Sequence, residues 1–293
     1  MSFLSYLING ISLGSVYAII ALGYTMVYGI ARMLNFAHGD IIMVGGFVIF
    51  TIVSTLGLPP MVGVLAAVIA CTVLGVVIER VAYKPLRGAS SLAVLITAIG
   101  VSYLLQNVAL LIFGSNARQF TSVVNVPSLK LAGGALSISG VTMVTIITCI
   151  IIMAALTTFI NKTKVGQAML AVSEDTGAAP LMGINVNSTI SFTFAVGSAL
   201  AGIGSVLYCC SYPQATPTMG SMLGLKAFVA AVLGGIGSIP GAMVGGIAIG
   251  LCECFVSAIG LSAWKDAVTF AILIIVLLVK PTGFLGRKVQ EKV

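Results

Sequence analysis

The 293 residues are 59% hydrophobic and only 7% charged, with a formal net charge of +7, whereas soluble domains carry roughly 25% charged residues. So few charges exclude a soluble globular domain, because they cannot cover a water-facing surface of this size. The basic residues are scattered between apolar runs, which excludes a nucleic-acid-binding patch and fits loops that face anionic lipid. We therefore expect one integral membrane domain over residues 1–293.

Apolar runs follow one another along the whole chain, and a membrane-spanning helix needs about 20 apolar residues. Helices satisfy every backbone group internally, and no run shows the apolar–polar alternation of a barrel strand. The sequence therefore predicts an all-α, polytopic membrane helix bundle with eight or nine transmembrane segments. The predicted segments are Phe3–Ile30, Ile41–Leu56, Met61–Ile78, Leu92–Phe113, Ile138–Ile160, Thr189–Cys210, Met222–Ile236, Ala242–Ala263 and Ala267–Val279.

Two of these runs, Ile41–Leu56 and Met222–Ile236, are short for a full crossing. Either is a candidate for a broken or re-entrant helix, which exists at membrane depth only where protein or a wet cavity satisfies its backbone. The first run lacks a basic flank and an A-x-A-type site, so we expect a retained helix rather than a cleaved signal.

The basic residues predict the orientation. If the segments after Ile30, Ile78, Ile160 and Val279 face the cytoplasm, ten Lys and Arg residues lie inside and three outside, as the positive-inside rule requires. The C-terminus is then cytoplasmic, and nine passes place the N-terminus outside whereas eight place it inside. The ten are Arg32, Arg80, Lys84, Arg87, Lys162, Lys164, Lys280, Arg287, Lys288 and Lys292.

Polar residues between and within the apolar runs are candidates for a translocation pathway or gate. Asn35, His38 and Asp40 fall between the first two runs, and two interpretations stay open: a hydrated or gating segment, or an interfacial loop at the headgroups. Lys226 and Glu253 fall inside runs, where a lone charge costs about 2.5–3.5 kcal/mol. We hypothesise that they pair inside the bundle; the alternative places each near an aqueous helix end.

Residues 161–187 form the longest polar break on the predicted inner side. Ser173 is a candidate N-cap, with Glu174 and Asp175 in the first helical turn, where the helix dipole favours acids. Ala178 and Ala179 continue an apolar face, and Gly183 is a candidate C-cap. We expect a short cytoplasmic helix whose apolar side chains dock another protein, or, alternatively, lie among the lipid headgroups.

The sequence shows no motif for nucleotide binding, metal binding or catalysis. The sequence has no G-x-x-x-x-G-K-[ST] phosphate-binding loop, and its six cysteines and single histidine lack zinc-type spacing. With one histidine and seven acids, no catalytic triad or carboxylate pair is indicated. We expect no catalytic residue, no bound metal or cofactor, and no enzymatic activity.

Several ordered stretches cover nearly the whole chain and resemble the permease subunits of branched-chain amino acid ABC importers, specifically the first of the two permeases. They are N-G-I-S-L-G-S-V-Y-A-I-I-A-L-G-Y-T-M-V-Y-G-I at 9–30, N-F-A-H-G-D at 35–40, I-E-R-V-A-Y-K-P-L-R at 78–87, L-I-T-A-I-G-V-S-Y-L-L-Q-N at 95–107, A-V-S-E-D-T-G-A-A-P-L-M-G-I-N at 171–185, K-A-F-V-A-A-V-L-G-G-I-G-S-I-P-G-A-M-V-G-G at 226–246 and P-T-G-F-L-G at 281–286.

The resemblance implies a permease in a bacterial inner membrane that translocates Leu, Ile or Val. It implies four kinds of partner: a second homologous permease, two cytoplasmic ATPase subunits that hold ATP and Mg²⁺, an extracytoplasmic binding protein and membrane lipid. It also makes residues 161–187 the coupling loop, with Ser173, Glu174, Asp175, Ala178, Ala179 and Gly183 at the ATPase contact.

Other functions stay open at this point. Relatives in this family handle urea, amides or other amino acids, and the permease pair is homodimeric or heterodimeric. An ion-coupled secondary transporter needs intramembrane acids, for which Asp40, Glu253 and Asp266 are the candidates. A channel lacks a filter motif and a membrane enzyme lacks catalytic groups, so both are less favoured than the importer permease.

Overall fold

A computed structural model describes residues 2–120, 123–124, 126–131 and 136–286, and its secondary structure is dominated by helices. Within these ranges eight helical segments are long and apolar enough to cross a membrane, and a ninth apolar helix, α8, is shorter. The predicted polytopic helix bundle is therefore confirmed. The α-helices are α1 Ser2–Ala31, α2 His38–Phe50, α3 Pro60–Ile78, α4 Ser91–Phe113, α5 Gly140–Lys162, α6 Lys164–Glu174, α7 Val186–Ser211, α8 Met219–Gly234, α9 Ile239–Ala258 and α10 Lys265–Val279.

Shorter elements extend or join these helices. Thr51–Thr55 and Glu79–Tyr83 are π-helical extensions of α2 and α3, and Lys84–Leu86, Ala179–Met182 and Ser262–Trp264 are 3-10 helices. Four strands, which the sequence did not predict, are β1 Arg118–Gln119, β2 Leu129–Leu131, β3 Leu136–Ile138 and β4 Gln214–Ala215. They form two antiparallel pairs, β1 with β4 and β2 with β3.

One end of the bundle, here called the loop end, gathers the end of α1, residues 161–187, the α8–α9 turn and residues 280–286. The Arg32 guanidinium donates to the Ser173 carbonyl at 3.1 Å, and Gly29 packs on Gly237. The amides of Phe284 and Leu285 donate to carbonyls at the end of α8. The opposite end, the strand end, carries the β-strands. Arg287, Lys288 and Lys292, which the sequence predicts to lie on the inner side, lie outside the described residues.

Helices α1 and α9 form the centre of the bundle and pack antiparallel through glycines. Gly10 and Gly14 of α1 face Leu251 and Gly250 of α9, and Gly246 faces Ala18. A side chain at these glycines would overlap the facing backbone, so small residues set the short interhelical distance. Because α1 ends at the loop end, it begins at the strand end, opposite residues 280–286. This arrangement agrees with nine crossings rather than eight.

Helix α2 begins inside the bundle. Arg32 has a left-handed backbone (φ 52°) and turns the chain back from the end of α1. The next residues are buried, Asn35 with 2% and Ala37 with 0% of their surface exposed. His38 packs on Gly23, eight residues before the end of α1, which is about 12 Å along the helix axis. The chain therefore turns back into the bundle before α2 begins, so the interfacial-loop interpretation of Asn35, His38 and Asp40 is wrong.

Helix α8 also begins inside the bundle, directly against the start of α2. Gly39 lies on the backbone of Gly220 and of Gly224, and Gly46 packs on the Met219 side chain. The two short apolar runs of the sequence therefore both form helices that begin at one helix–helix contact. We call this contact the α2–α8 crossing and define it by Gly39, Gly220 and Gly224.

Residues 161–187 contain two helices instead of one, and the predicted N-cap at Ser173 is wrong. Helix α6 ends at Glu174, so Ser173 and Glu174 lie in its last turn, and the Ser173 hydroxyl donates back to the Leu170 carbonyl. Asp175 accepts from the amides of Gly177 and Ala178 and so stabilises the turn into the 3-10 helix Ala179–Met182. Gly183, at φ 77°, ends that helix as predicted.

Candidate translocation pathway and docking loop

A cavity of about 210 Å³ lies between α1, the α7–α8 connection and α8. We call it the outer cavity, because Gln214 on its wall belongs to β4 at the strand end. Tyr17 on its wall lies 14 residues before the end of α1, which is about 21 Å from the loop end. Its lining is Tyr17, Tyr208, Gln214, Thr216, Met219, Met222, Leu223 and Lys226.

Lys226 and Glu253 form an ion pair beside this cavity, as hypothesised, with 2.9 Å between Nζ and Oε1. Nζ also lies 2.7 Å from Oδ1 of Asp266, the second residue of α10. The Glu253 carboxylate accepts from the Tyr17 hydroxyl at 3.0 Å and from the Thr269 hydroxyl at 3.3 Å. These partners compensate the cost of burying the two charges, and they join α1, α8, α9 and α10.

A second, much smaller cavity of about 10 Å³ lies nearer the loop end. We call it the inner cavity. Asn35 and His38 are part of its wall. The His38 ring meets the Tyr24 ring edge-on at 4.6 Å between centroids, and Asn35 accepts from the Tyr83 hydroxyl at 2.9 Å. The other lining residues are Val27, Tyr28, Met33, Leu34, Phe228, Ala231 and Ile236.

Asp40 faces away from His38 and toward α4. Its Oδ1 accepts from the Gln106 amide at 3.0 Å, and the same amide nitrogen lies 2.9 Å from the Ser221 hydroxyl of α8. Within the described ranges no hydrogen bond joins His38 to Asp40. Asp40 instead holds the start of α2 to α4 and α8.

The two cavities follow one seam between α1 and α8. Tyr17 and Lys226 line the outer cavity, and Tyr24 and Phe228 line the inner one. The α2–α8 crossing adjoins both cavities: Met219 and Leu223, next to Gly220 and Gly224, line the outer one, and Tyr24 of the inner one has its hydroxyl oxygen beside Gly224. Because it adjoins both cavities and is closely packed, the crossing is the candidate gate.

The 3-10 helix at the loop end presents two large apolar side chains. Leu181 is 87% exposed and Met182 is 81% exposed, whereas Ala179 of the same helix is buried. The caps at Asp175 and Gly183 hold this outward-facing apolar pair in place. We call Leu181 and Met182 the docking knob, because they are the candidate contact with a partner protein. Ala178 precedes the knob and Ser173 is fixed through its carbonyl by Arg32.

A buried ion pair that the sequence interpretation missed ties this loop to α3. Glu79 is 0% exposed, forms a salt bridge with Arg87 and accepts from the Ser191 hydroxyl at 2.7 Å. Arg87 also donates to the side chain of Asn187, in the first turn of α7. The only indication in the sequence was the position of Glu79, an acidic residue that ends an apolar run beside basic residues that we assigned to a loop.

Comparisons with known proteins agree with this architecture. Residues 6–277 match the family described as branched-chain amino acid transport system / permease component. The high-affinity branched-chain amino acid transport system permease protein LivH is 45% identical in Salmonella typhimurium and 44% in Escherichia coli, and BraD of Pseudomonas aeruginosa is 42% identical. Each alignment covers 99% of this chain and 98% of the relative.

A solved structure, PsaBC from Streptococcus pneumoniae in complex with Fab, has a similar fold. Its TM-score is 0.53 with 15% sequence identity, and the match covers 96% of this chain and 93% of the other. At that identity the likeness concerns the fold alone. The family match and the full-length relatives go further: this multi-pass membrane protein belongs to the family of branched-chain amino acid transport system permease components.

Proposed function

We propose that this chain is the membrane-spanning permease of an ABC importer for Leu, Ile and Val. The observation that carries the proposal is the 42–45% identity to LivH and BraD over almost the entire chain. The outer cavity supports it, because it combines a buried ammonium with an apolar wall. The permease translocates substrate that an extracytoplasmic binding protein delivers.

The work for transport comes from two separate ATPase subunits, which bind ATP and Mg²⁺, while this chain binds no cofactor and has no ATPase site. The exposed Leu181–Met182 pair supports this division, since a protruding apolar pair is typical of a protein contact. Ser173, Glu174, Asp175, Ala178, Ala179 and Gly183 shape the loop around that contact. The loop end then faces the cytoplasm, together with the C-terminus, in the bacterial inner membrane.

The ATPases act on the gate through two connections that start in the coupling loop. One runs from the Ser173 carbonyl to Arg32 and so to residues 32–37, which precede α2. The other runs from Asn187 to Arg87, which forms a salt bridge with Glu79. Glu79 begins the π-helix that ends at Tyr83, and the Tyr83 hydroxyl donates to Asn35. Both reach the segment that leads into the α2–α8 crossing. ATP binding to the docked ATPases thereby biases the gate between outward-open and inward-open states.

The direct test is co-expression of the tagged chain with its second permease, ATPases and binding protein, followed by purification and ATPase assay. We expect the ATPases and second permease to co-purify and the loaded binding protein to stimulate ATP hydrolysis with Leu, Ile and Val. A complex that responds to urea or short amides and not to these amino acids would contradict the assigned substrate. An ATPase-free preparation that hydrolyses ATP would contradict the assigned division of labour.

A further inference from the structure

The outer cavity is lined by two chemically different sets of residues. One set is polar and comprises Lys226, Tyr17, Tyr208, Gln214 and Thr216, and the other is an apolar wall made by Met219, Met222 and Leu223, which share a face of α8 with Lys226. A cavity of about 210 Å³ has room for a small amphiphilic solute.

The charges beside the cavity do not balance. Lys226 supplies one positive charge, whereas Glu253 and Asp266 supply two negative charges. Glu253 is 3% exposed and is also held by the hydroxyls of Tyr17 and Thr269. The Asp266 side chain is 37% exposed and sits in the first turn of α10. Of the two carboxylates, Asp266 is the one that can leave Lys226 for water at small cost.

We propose that the outer cavity is a transient binding site for a free amino acid with an aliphatic side chain. The ligand carboxylate takes the place of Asp266 on Lys226, and the side chain packs on Met219, Met222 and Leu223. The oxygen atoms of Gln214, Thr216 and Tyr208 accept from the ligand ammonium. This assignment rests on the proposed function, and it adds the site on the permease itself.

Competition from Asp266 explains how such a site releases its ligand. A conducting site must bind well enough to admit the solute and weakly enough to let it go. A carboxylate of the protein that returns to Lys226 keeps the ligand affinity low and restores the resting ion pair. The site thus contributes discrimination for a carboxylate without trapping the substrate.

The test uses the purified complex and a leucine analogue with a photoreactive diazirine in its side chain. We expect light to crosslink the probe to residues 214–226, where the apolar wall lies. Excess leucine should compete, whereas 3-methylbutylamine, which is leucine without its carboxylate, should not. Equal competition by the amine, or crosslinks confined to other segments, would overturn the proposal.

Two variants separate carboxylate binding from a purely structural ion-pair network. Lys226→Met with Glu253→Gln removes the ammonium without leaving a buried carboxylate unpaired, so assembly is kept. We expect its crosslinking to fall about tenfold, the effect of losing one charge-assisted hydrogen bond. Asp266→Asn removes the competitor, and we expect half-saturation at a severalfold lower probe concentration.

Unchanged crosslinking in the double variant, or weaker crosslinking in Asp266→Asn, would contradict the site. Leucine uptake by the unmodified complex is measured in parallel. If the unmodified complex transports leucine and the variants crosslink normally, only the site assignment fails. If it transports no branched-chain amino acid at all, the proposed function fails instead.

Discussion

Gly39 and Gly220, the second residues of α2 and α8, lie backbone against backbone. A Cβ atom built on either residue would overlap the carbonyl oxygen of the other. This contact places two helix starts together inside the bundle, next to both cavities, and leaves no room for a side chain.

Gly39→Ala and Gly220→Ala should therefore destabilise the closed gate. Overpacking of this kind costs about 1–3 kcal/mol, and we expect a lower melting temperature in detergent with transport strongly reduced. Gly100→Ala on α4 is the matched control, since among the described residues nothing lies within 4 Å of a Cβ at that position. Normal stability and transport in Gly39→Ala would contradict the proposed closeness of the two helices.

The exposed knob of the coupling loop predicts a binding defect. Leu181→Asp with Met182→Asp should abolish co-purification of the ATPases while the permease still inserts, because both side chains already face outward. Ile259→Asp provides the control, with a side chain 76% exposed at the end of α9 on the strand side. ATPase recovery that is equal in the two variants would argue against docking at the knob.

Asp175 and Glu174 should behave differently although they are adjacent. Asp175→Ala removes the acceptor for two backbone amides, and losing such a cap costs about 1 kcal/mol. We expect weaker ATPase coupling, measured as substrate-stimulated ATP hydrolysis. Glu174→Ala should have a smaller effect, because the hydrogen bonds to the amides of Gly177 and Ala178 come from Asp175 and not from Glu174. The reverse order of effects would contradict the capping role of Asp175.

Arg87→Met should leave the buried Glu79 carboxylate without its cation. Breaking a buried pair in this way costs about 3–5 kcal/mol, so we expect a large drop in melting temperature. Glu79→Gln combined with Arg87→Met removes both charges and should recover much of that loss. If the double variant is no more stable than Arg87→Met, the pair does not hold the α3 end to α7.

Sequence reasoning predicted the helical spans well, since about 20 apolar residues in a row have no other fold in a membrane. It also predicted the Lys226–Glu253 pair, because each charge needed a partner and few were available. It named Asp266 only as a candidate acid of an ion-coupled transporter and missed it as the third member of this cluster, because Asp266 follows Lys265 at the start of a helix.

The coupling loop shows where local rules fail. The local sequence favours Ser173 as the N-cap, but Asp175 is also a residue type that caps helices, and the choice between them depends on how far α6 extends. Met169 and Val172 are buried against the bundle, which keeps α6 helical through Ser173 and passes the capping role to Asp175. Such tertiary packing is invisible in the sequence. The Gly39–Gly220 contact was equally hidden, since those glycines lie 181 positions apart.

The account depends most on the claim that this chain forms a passage and takes its driving force from docked ATPases. The measurement is leucine uptake into proteoliposomes that contain this chain, the second permease and the ATPases, with binding protein on the side of the strand end. We predict accumulation only when ATP is supplied at the loop end and all subunits are present. Leucine accumulation by this chain alone, driven by a proton or sodium gradient, would contradict it.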